Sequence, residues 1–263
     1  MSRTMLMQDK VVVVAGVGSG LGRSIALASA REGADVVLAA RTASKLYEVA
    51  KEVDALGRRA LPVPCDLTDP ASADRLATAA QDTFGRVDAM VYNALAMPPI
   101  EGLGVVPLEA LSAAFDGNVI AALRLARQLM PALAENKGSV VMISSMVVRF
   151  SELTMGPYKL VKTAMQAVAQ NLATEYGPLG VRVNTVVPGQ VWGDTLRGYF
   201  GYLAQQRGDV TVEDIYQEVA AKINLRRLPE NDEVADAVLF LTSGLARAVT
   251  GQALDVNGGE HHH

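Results

Sequence analysis

The chain has 263 residues, half of them apolar, and its 24 basic and 28 acidic side chains leave a formal net charge of −4. That length buries a hydrophobic core without staples. The only cysteine, Cys65, excludes a disulfide framework and a multi-cysteine zinc site. The only histidines are His261, His262 and His263, which read as a purification-tag remnant, so histidine-based nucleophile, base and zinc chemistries are excluded. A mildly acidic chain without a basic run carries no electrostatic footprint for nucleic acid. Met1–Lys10 lacks the apolar stretch of a signal peptide, and apolar runs of about five residues fall far short of a membrane span. A soluble, cytoplasmic protein is expected.

In chain order, strands are predicted at Val11–Ala15, Asp35–Ala40, Ala60–Pro64, Ala89–Asn93, Ser139–Ser144, Val181–Val187 and Ala253–Val256. Their continuous apolar character suits parallel strands covered on both faces. Between them, helical periodicity marks Leu21–Glu32, Ala43–Leu56, Ala71–Phe84, Leu108–Glu135, Tyr158–Tyr176 and Asp232–Thr242. Gly33, Gly57, Gly85 and Gly177 stand where helix C-caps belong, and Pro131 is expected to bend or end the long fourth helix. The β-α alternation predicts one doubly wound α/β domain of Rossmann type over residues 1–260, a parallel sheet of about seven strands with helices on both faces. Residues 190–228 break the alternation with aromatics and glycines: a substrate lid, or a packed helical excursion, and the two readings are compatible.

After the first strand, Gly16, Gly18, Ser19, Gly20, Leu21 and Gly22 lead straight into a helix. Glycines let backbone approach a pyrophosphate, and the helix N-terminus offers N–H groups and a favourable dipole. The spacing is GxxxGxG rather than GxGxxG, and no Lys-Ser/Thr pair follows, which argues against a P-loop. The second strand ends Ala40-Arg41-Thr42 without the acid that would hold ribose hydroxyls. Arg41, with Lys45 nearby, suits a 2′-phosphate, so NADP(H) is favoured over NAD(H). Asp66, ending the third strand, is placed for the adenine amino group, whereas Cys65 reads as a small buried apolar residue.

Tyr158 and Lys162 are four apart on a predicted helix and share a face. With Ser145 they supply histidine-free acid–base chemistry: an ammonium beside the phenol, together with the positive nicotinamide ring of an oxidised cofactor, would lower its ordinary value near 10, and Ser145 would hold the substrate oxygen.

These features in this order resemble the short-chain dehydrogenase/reductase family, in its compact branch, from Lys10 to Gly259. The resemblance rests on the glycine turn, Asp66, Asn93-Ala94, Asn118, Ser145, Tyr158-x-x-x-Lys162, Pro188-Gly189 and Asp255-Val256-Asn257-Gly258-Gly259. The steps of 27 residues from Asn118 to Ser145 and 13 from Ser145 to Tyr158 agree with it. It implies Tyr158 as acid/base, Ser145 as the group that polarises the oxygen, and Lys162 as both tuner of the tyrosine and ligand of the nicotinamide ribose. It further implies Asn118 as holder of a relay water. Asp66, Leu67, Asn93 and Ala94 would meet adenosine, and Pro188, Gly189 and Val191 the nicotinamide. The substrate is expected to be a small carbonyl or alcohol, apolar or ring-containing, against Leu95, Met97, Met146, Val147, Trp192 and Tyr199. Arg149 and Arg197, the candidate anchors for an anionic substrate, read better as solvated surface charges. A homodimer or homotetramer packed through helices 108–135 and 158–176 is implied as well. Three positions depart from the family pattern: Tyr92 stands for an asparagine, Leu95 for a glycine and Gly193 for a frequent threonine. An enoyl reductase of the related branch would space its tyrosine and lysine more widely; a non-catalytic cofactor-binding protein is the alternative from another class.

Overall fold

A computed structural model describes residues 5–262. The first four residues of the N-terminal reading, and His263, lie outside the described residues. The chain forms strands β1 (Val11–Ala15), β2 (Asp35–Ala40), β3 (Ala60–Pro64), β4 (Ala89–Tyr92), β5 (Ser139–Ile143), β6 (Arg182–Pro188) and β7 (Ala253–Val256). All pair in parallel in one sheet of order β3-β2-β1-β4-β5-β6-β7. Helices α1 (Leu21–Arg31) and α2 (Ala43–Ala55) separate the first three strands, followed by α3 (Pro70–Phe84) before β4. Next come α4 (Leu108–Phe115) and α5 (Ala121–Glu135) before β5, α6 (Gly156–Tyr176) before β6, and α7 (Asp194–Arg207), α8 (Val212–Ala220) and α9 (Asn231–Thr242) before β7.

Two-residue alternation in each strand builds two cores. Val11, Val13 and Ala15 face a layer made with Leu125 and Leu129 of α5 and Met165 and Leu172 of α6. Val12 and Val14 face Ile25 of α1, Leu46 of α2 and Val238 of α9. Because both faces are covered, the strands are valine-rich rather than alternating. The order reverses at β1, whose neighbours are β2 and β4, and the crevice above these strand ends is where a doubly wound sheet binds ligands. No helix among the described residues is long and apolar enough to cross a membrane.

Three local expectations change, and one of two open readings is met. Gly33, Gly57 and Gly85 take positive φ as expected, but Gly177 is right-handed and begins a short 3₁₀ turn, so Gly180 (φ 84°) supplies the left-handed stop. Pro131 does not end its helix, which runs on to Glu135. The single helix 108–135 is divided by a π-helical turn at Asp116–Ile120. Beyond β6, residues 190–228 fold as a packed helical excursion with its own small core, where Phe200, Ile215, Ile223 and Leu228 are buried.

Candidate active site

The glycine turn is shaped by backbone contacts. Gly16 (φ +98°) lies so close to β4's extension that a Cβ would stand 2.3 Å from the Ala94 nitrogen, and one on Gly22 would stand 2.3 Å from the Gly16 carbonyl oxygen. Asn93 Nδ2 donates to that same oxygen at 2.8 Å, so its side chain helps to fix the turn while the residue lines the cleft beside it. Gly18, by contrast, faces open space, and Gly20 caps α1 without any side chain, leaving the helix entrance bare with exposed Ser19 before it and Leu21 as its first residue. This is a cradle that side chains would fill, and it fits a diphosphate. Gly16→Ala is expected to cost about 2 kcal/mol or more, because both φ and space oppose a side chain. A thermal melt within 1 °C (about the error of the method) of the parent would contradict this reading.

The cleft beside the turn, of about 290 Å³, is lined by Gly16, Gly18, Arg41, Asp66, Leu67 and Ala94 among others. Arg41 is exposed at the end of β2. Asp66 Oδ1 accepts from the Thr68 N–H at 3.0 Å and the Thr68 hydroxyl at 2.8 Å. These bonds, helped by the Arg41 charge, hold its carboxyl below the usual range. Lys45 does not add an open charge, since its Nζ pairs with Glu48 at 3.1 Å. Burial pushes the Cys65 thiol up, as suits an inert residue.

At the far end of β5, Ser145 opens a short 3₁₀ turn over Met146–Arg149, its Oγ accepting from the Val147 N–H at 3.3 Å. Tyr158 and Lys162 lie one turn apart on α6, which Pro157 helps to start. Burial pushes the Tyr158 phenol up, and a hydrogen bond with Ser145 pulls it back down. The Lys162 ammonium is 5.8 Å from the Tyr158 ring centroid and donates to the Ile143 carbonyl at 2.9 Å. Burial pushes that lysine down to about 8. The expected lowering of Tyr158 by Lys162 is therefore not produced by the chain's own groups: desolvation dominates, and the neighbour that opposes it is Ser145. A phenol pushed up in this way is protonated at neutral pH, and such a group can donate a proton.

The Asn118 side chain is bound to backbone on two segments. Its Nδ2 donates to the Ala96 and Ala114 carbonyls, both at 2.7 Å, and its Oδ1 accepts from the Ala96 N–H at 3.1 Å. The side chain thus clamps the 95–97 loop to the π-turn. Tyr92, fully buried, donates its hydroxyl to the Gly117 carbonyl of the same turn at 3.3 Å. The departure at Tyr92 is therefore filled by a link from β4 to the Asn118 segment.

On the substrate side, Met146 and Val147 are buried, whereas Leu95, Met97 and Tyr199 are exposed. Trp192 packs into the small helical core, 4.7 Å from the Tyr216 ring and 5.5 Å from Phe200. Arg197 lies over it at 4.6 Å while staying exposed, as a solvated charge does, whereas Arg149 is bound to Asp255 at 2.8 Å and is not the solvated charge expected. Pro188 ends β6, and a Cβ on Gly189 would meet Asn257 at 2.9 Å. Val191 packs against the α1/α9 core. His261 stacks on Phe150 with centroids 5.1 Å apart, and His262 lies 3.1 Å from the Asn224 amide. These two histidines contact the fold instead of standing outside it.

Against known proteins, a family model described as enoyl-(acyl carrier protein) reductase matches residues 16–261. The 7alpha-hydroxysteroid dehydrogenase of Escherichia coli K12 is 30% identical over 259 residues, covering 98% of this chain and 96% of that protein. The L-rhamnose 1-dehydrogenase (NAD(P)(+)) of Azotobacter vinelandii is 30% identical over 261 residues, covering 97% and 98%. The crystal structure of L-sorbose reductase from Gluconobacter frateurii, complexed with NADPH and L-sorbose, superposes with a TM-score of 0.91 at 29% identity, covering 98% of each chain. Carveol dehydrogenase from Mycobacterium avium in complex with NAD gives 0.89 at 26% identity, covering 98% of this chain and 99% of that one.

Proposed function

The chain belongs to the short-chain dehydrogenase/reductase family, and on that premise we propose that it is an NADP(H)-dependent oxidoreductase interconverting a ketone or aldehyde and an alcohol, with Tyr158 as acid/base. The observation that carries the reading is the part-buried Tyr158 beside Ser145, with the Lys162 ammonium one turn on and 5.8 Å from its ring. Bound nicotinamide would supply or accept the hydride. Ser145 would hold the substrate oxygen, Tyr158 would give or take its proton, and Lys162 would face the ribose hydroxyls. Asn118 would hold a relay water, while its side chain fixes the 95–97 loop. A panel of ketones and alcohols assayed with both cofactors tests the reaction class: NADPH-dependent ketone reduction supports it, and no turnover by a cofactor-binding protein would leave the non-catalytic alternative.

The preference for NADP(H) is supported by Arg41 at the cleft and by the absence of an acid at the end of β2. Charge-assisted bonds of this kind contribute about 1.5–3 kcal/mol, or roughly 10–100-fold in affinity. Arg41→Ala is accordingly expected to weaken NADPH binding about 10–100-fold and NADH binding less than about twofold. Equal losses in a fluorescence titration would favour NAD(H) instead.

An apolar or ring-containing substrate is supported by the apolar side chains Leu95, Met97, Met146 and Tyr199. Association into a homodimer or homotetramer is supported by the apolar groove between the 103–115 segment and α6, lined by Leu103, Phe115, Leu153, Leu160 and Ala164.

A further inference from the structure

Between the glycine turn and the start of α7 lies a side chain that none of the family motifs includes. Asn231 is the first residue of α9. A Cβ placed on Gly20 would lie 3.8 Å from its Oδ1, and a Cβ on Gly193 would lie 2.8 Å from its Nδ2. Its carboxamide therefore stands between the turn that cradles the diphosphate and the segment that follows the nicotinamide strand β6. The Trp192 N–H donates to the Pro229 carbonyl at 2.7 Å, which ties that segment to the approach to α9 and fixes the spacing.

Gly193 leaves the amide its place. Its φ of −137° and ψ of −179° are ordinary extended values, so backbone conformation does not call for glycine there. What a Cβ there would meet is Asn231 Nδ2, the end of a side chain that would have to swing aside. Where the chain lacks a hydroxyl on residue 193, it carries a donor from α9 in the same volume. Among the described residues the Asn231 side chain has no hydrogen-bond partner, so its N–H groups remain available to a ligand.

We propose that Asn231 is a diphosphate-binding residue of the cofactor site, its Nδ2 donating to a phosphate oxygen between Gly20 and Gly193. The assignment rests on the dinucleotide-binding reading given above. It differs from the role of Arg41: the diphosphate is common to NADPH and NADH, so Asn231 acts on both alike, while Arg41 discriminates between them.

Dissociation constants for NADPH and NADH, read by nicotinamide fluorescence on the full chain, test this without a substrate. Asn231→Ala is expected to weaken both about tenfold and by equal factors, as loss of one hydrogen bond to a charged group does. Asn231→Asp, of the same shape but repelling the phosphates, is expected to weaken both by about 100-fold or more. Gly193→Ala should displace the amide and reproduce the alanine result. Cofactor-free melting temperatures check that each variant is folded; for any that is not, the remaining variants decide. Binding of either cofactor by Asn231→Asp within twofold of the parent would overturn the assignment. Equal, modest losses for Ala and Asp would also overturn it, because they would mark a packing role. A parent protein that binds neither cofactor would instead overturn the dinucleotide reading, and this assignment with it.

Discussion

Tyr158→Phe is expected to lower kcat for carbonyl reduction by about 10²–10⁴-fold while leaving NADPH affinity within about twofold. The substitution removes the hydroxyl beside Ser145 and keeps the part-buried ring, so packing and cofactor cradle are preserved. Because burial raises the phenol and Ser145 only partly offsets it, Tyr158 is protonated at neutral pH. Carbonyl reduction, which consumes that proton, needs no higher pH. Alcohol oxidation needs the phenolate, so its kcat should rise with pH in the alkaline range, and Tyr158→Phe should abolish that rise. Steady-state kinetics in both directions check this, and unchanged turnover in Tyr158→Phe would remove the tyrosine from the chemistry.

Lys162→Met is expected to separate stability from function. The lysine is 3% exposed, and burial lowers it from the ordinary 10.5 to about 8. Between those values the unfolded chain holds a proton that the folded chain has released, so stability rises with pH through that window. Below it, the buried cation costs on the order of 3 kcal/mol relative to an exposed one. Methionine removes this cost but leaves the Ile143 carbonyl without its donor, at about 1 kcal/mol or more. The cofactor-free variant is therefore expected to be more stable than the parent at pH 7, by about 1–2 kcal/mol, with the advantage fading toward pH 10. Turnover should fall by at least about 10²-fold, since the cation beside the acid/base and the ribose is gone. Calorimetry across pH measures the first effect. A variant less stable than the parent at pH 7 would show that the Ile143 hydrogen bond outweighs the buried charge.

The sheet was legible because a doubly wound fold writes itself in valine-rich runs of strand length. The Gly16–Gly22 turn was legible because only glycine permits the approach of Gly16 to Ala94. Strand ends differ from expectation by a residue, as at β6, where Pro188 still accepts the ladder's pairing with Val256. Other features depend on contacts between distant segments. The π-turn at Asp116–Ile120 has no local periodicity of its own; it is held by Asn118 clamping Ala96 and Tyr92 reaching Gly117. Trp192 reads as a pocket aromatic from its place after Gly189, yet Tyr216 and Phe200 draw it into the helical core. Arg149 finds Asp255, 106 residues away, a pairing no spacing rule reveals. Asn231 lies outside every motif, and the hint in the sequence was the glycine at 193, whose reason lies in α9. Ser145, Tyr158 and Lys162 were readable from spacing, whereas the sign of the tyrosine's shift was not, because burial is a property of the folded whole.

Tyr158-dependent carbonyl reduction with NADPH is tested most directly by label transfer. NADPH deuterated at both C4 positions is incubated with the protein and a mixture of cyclic and acyclic ketones, and the alcohols formed are read by mass spectrometry. The parent protein should yield at least one alcohol carrying deuterium on the carbinol carbon, and Tyr158→Phe at the same concentration should yield none within the same time. A parent that binds NADPH yet transfers no label to any ketone, or a Tyr158→Phe variant that transfers it at the parental rate, would contradict the assignment.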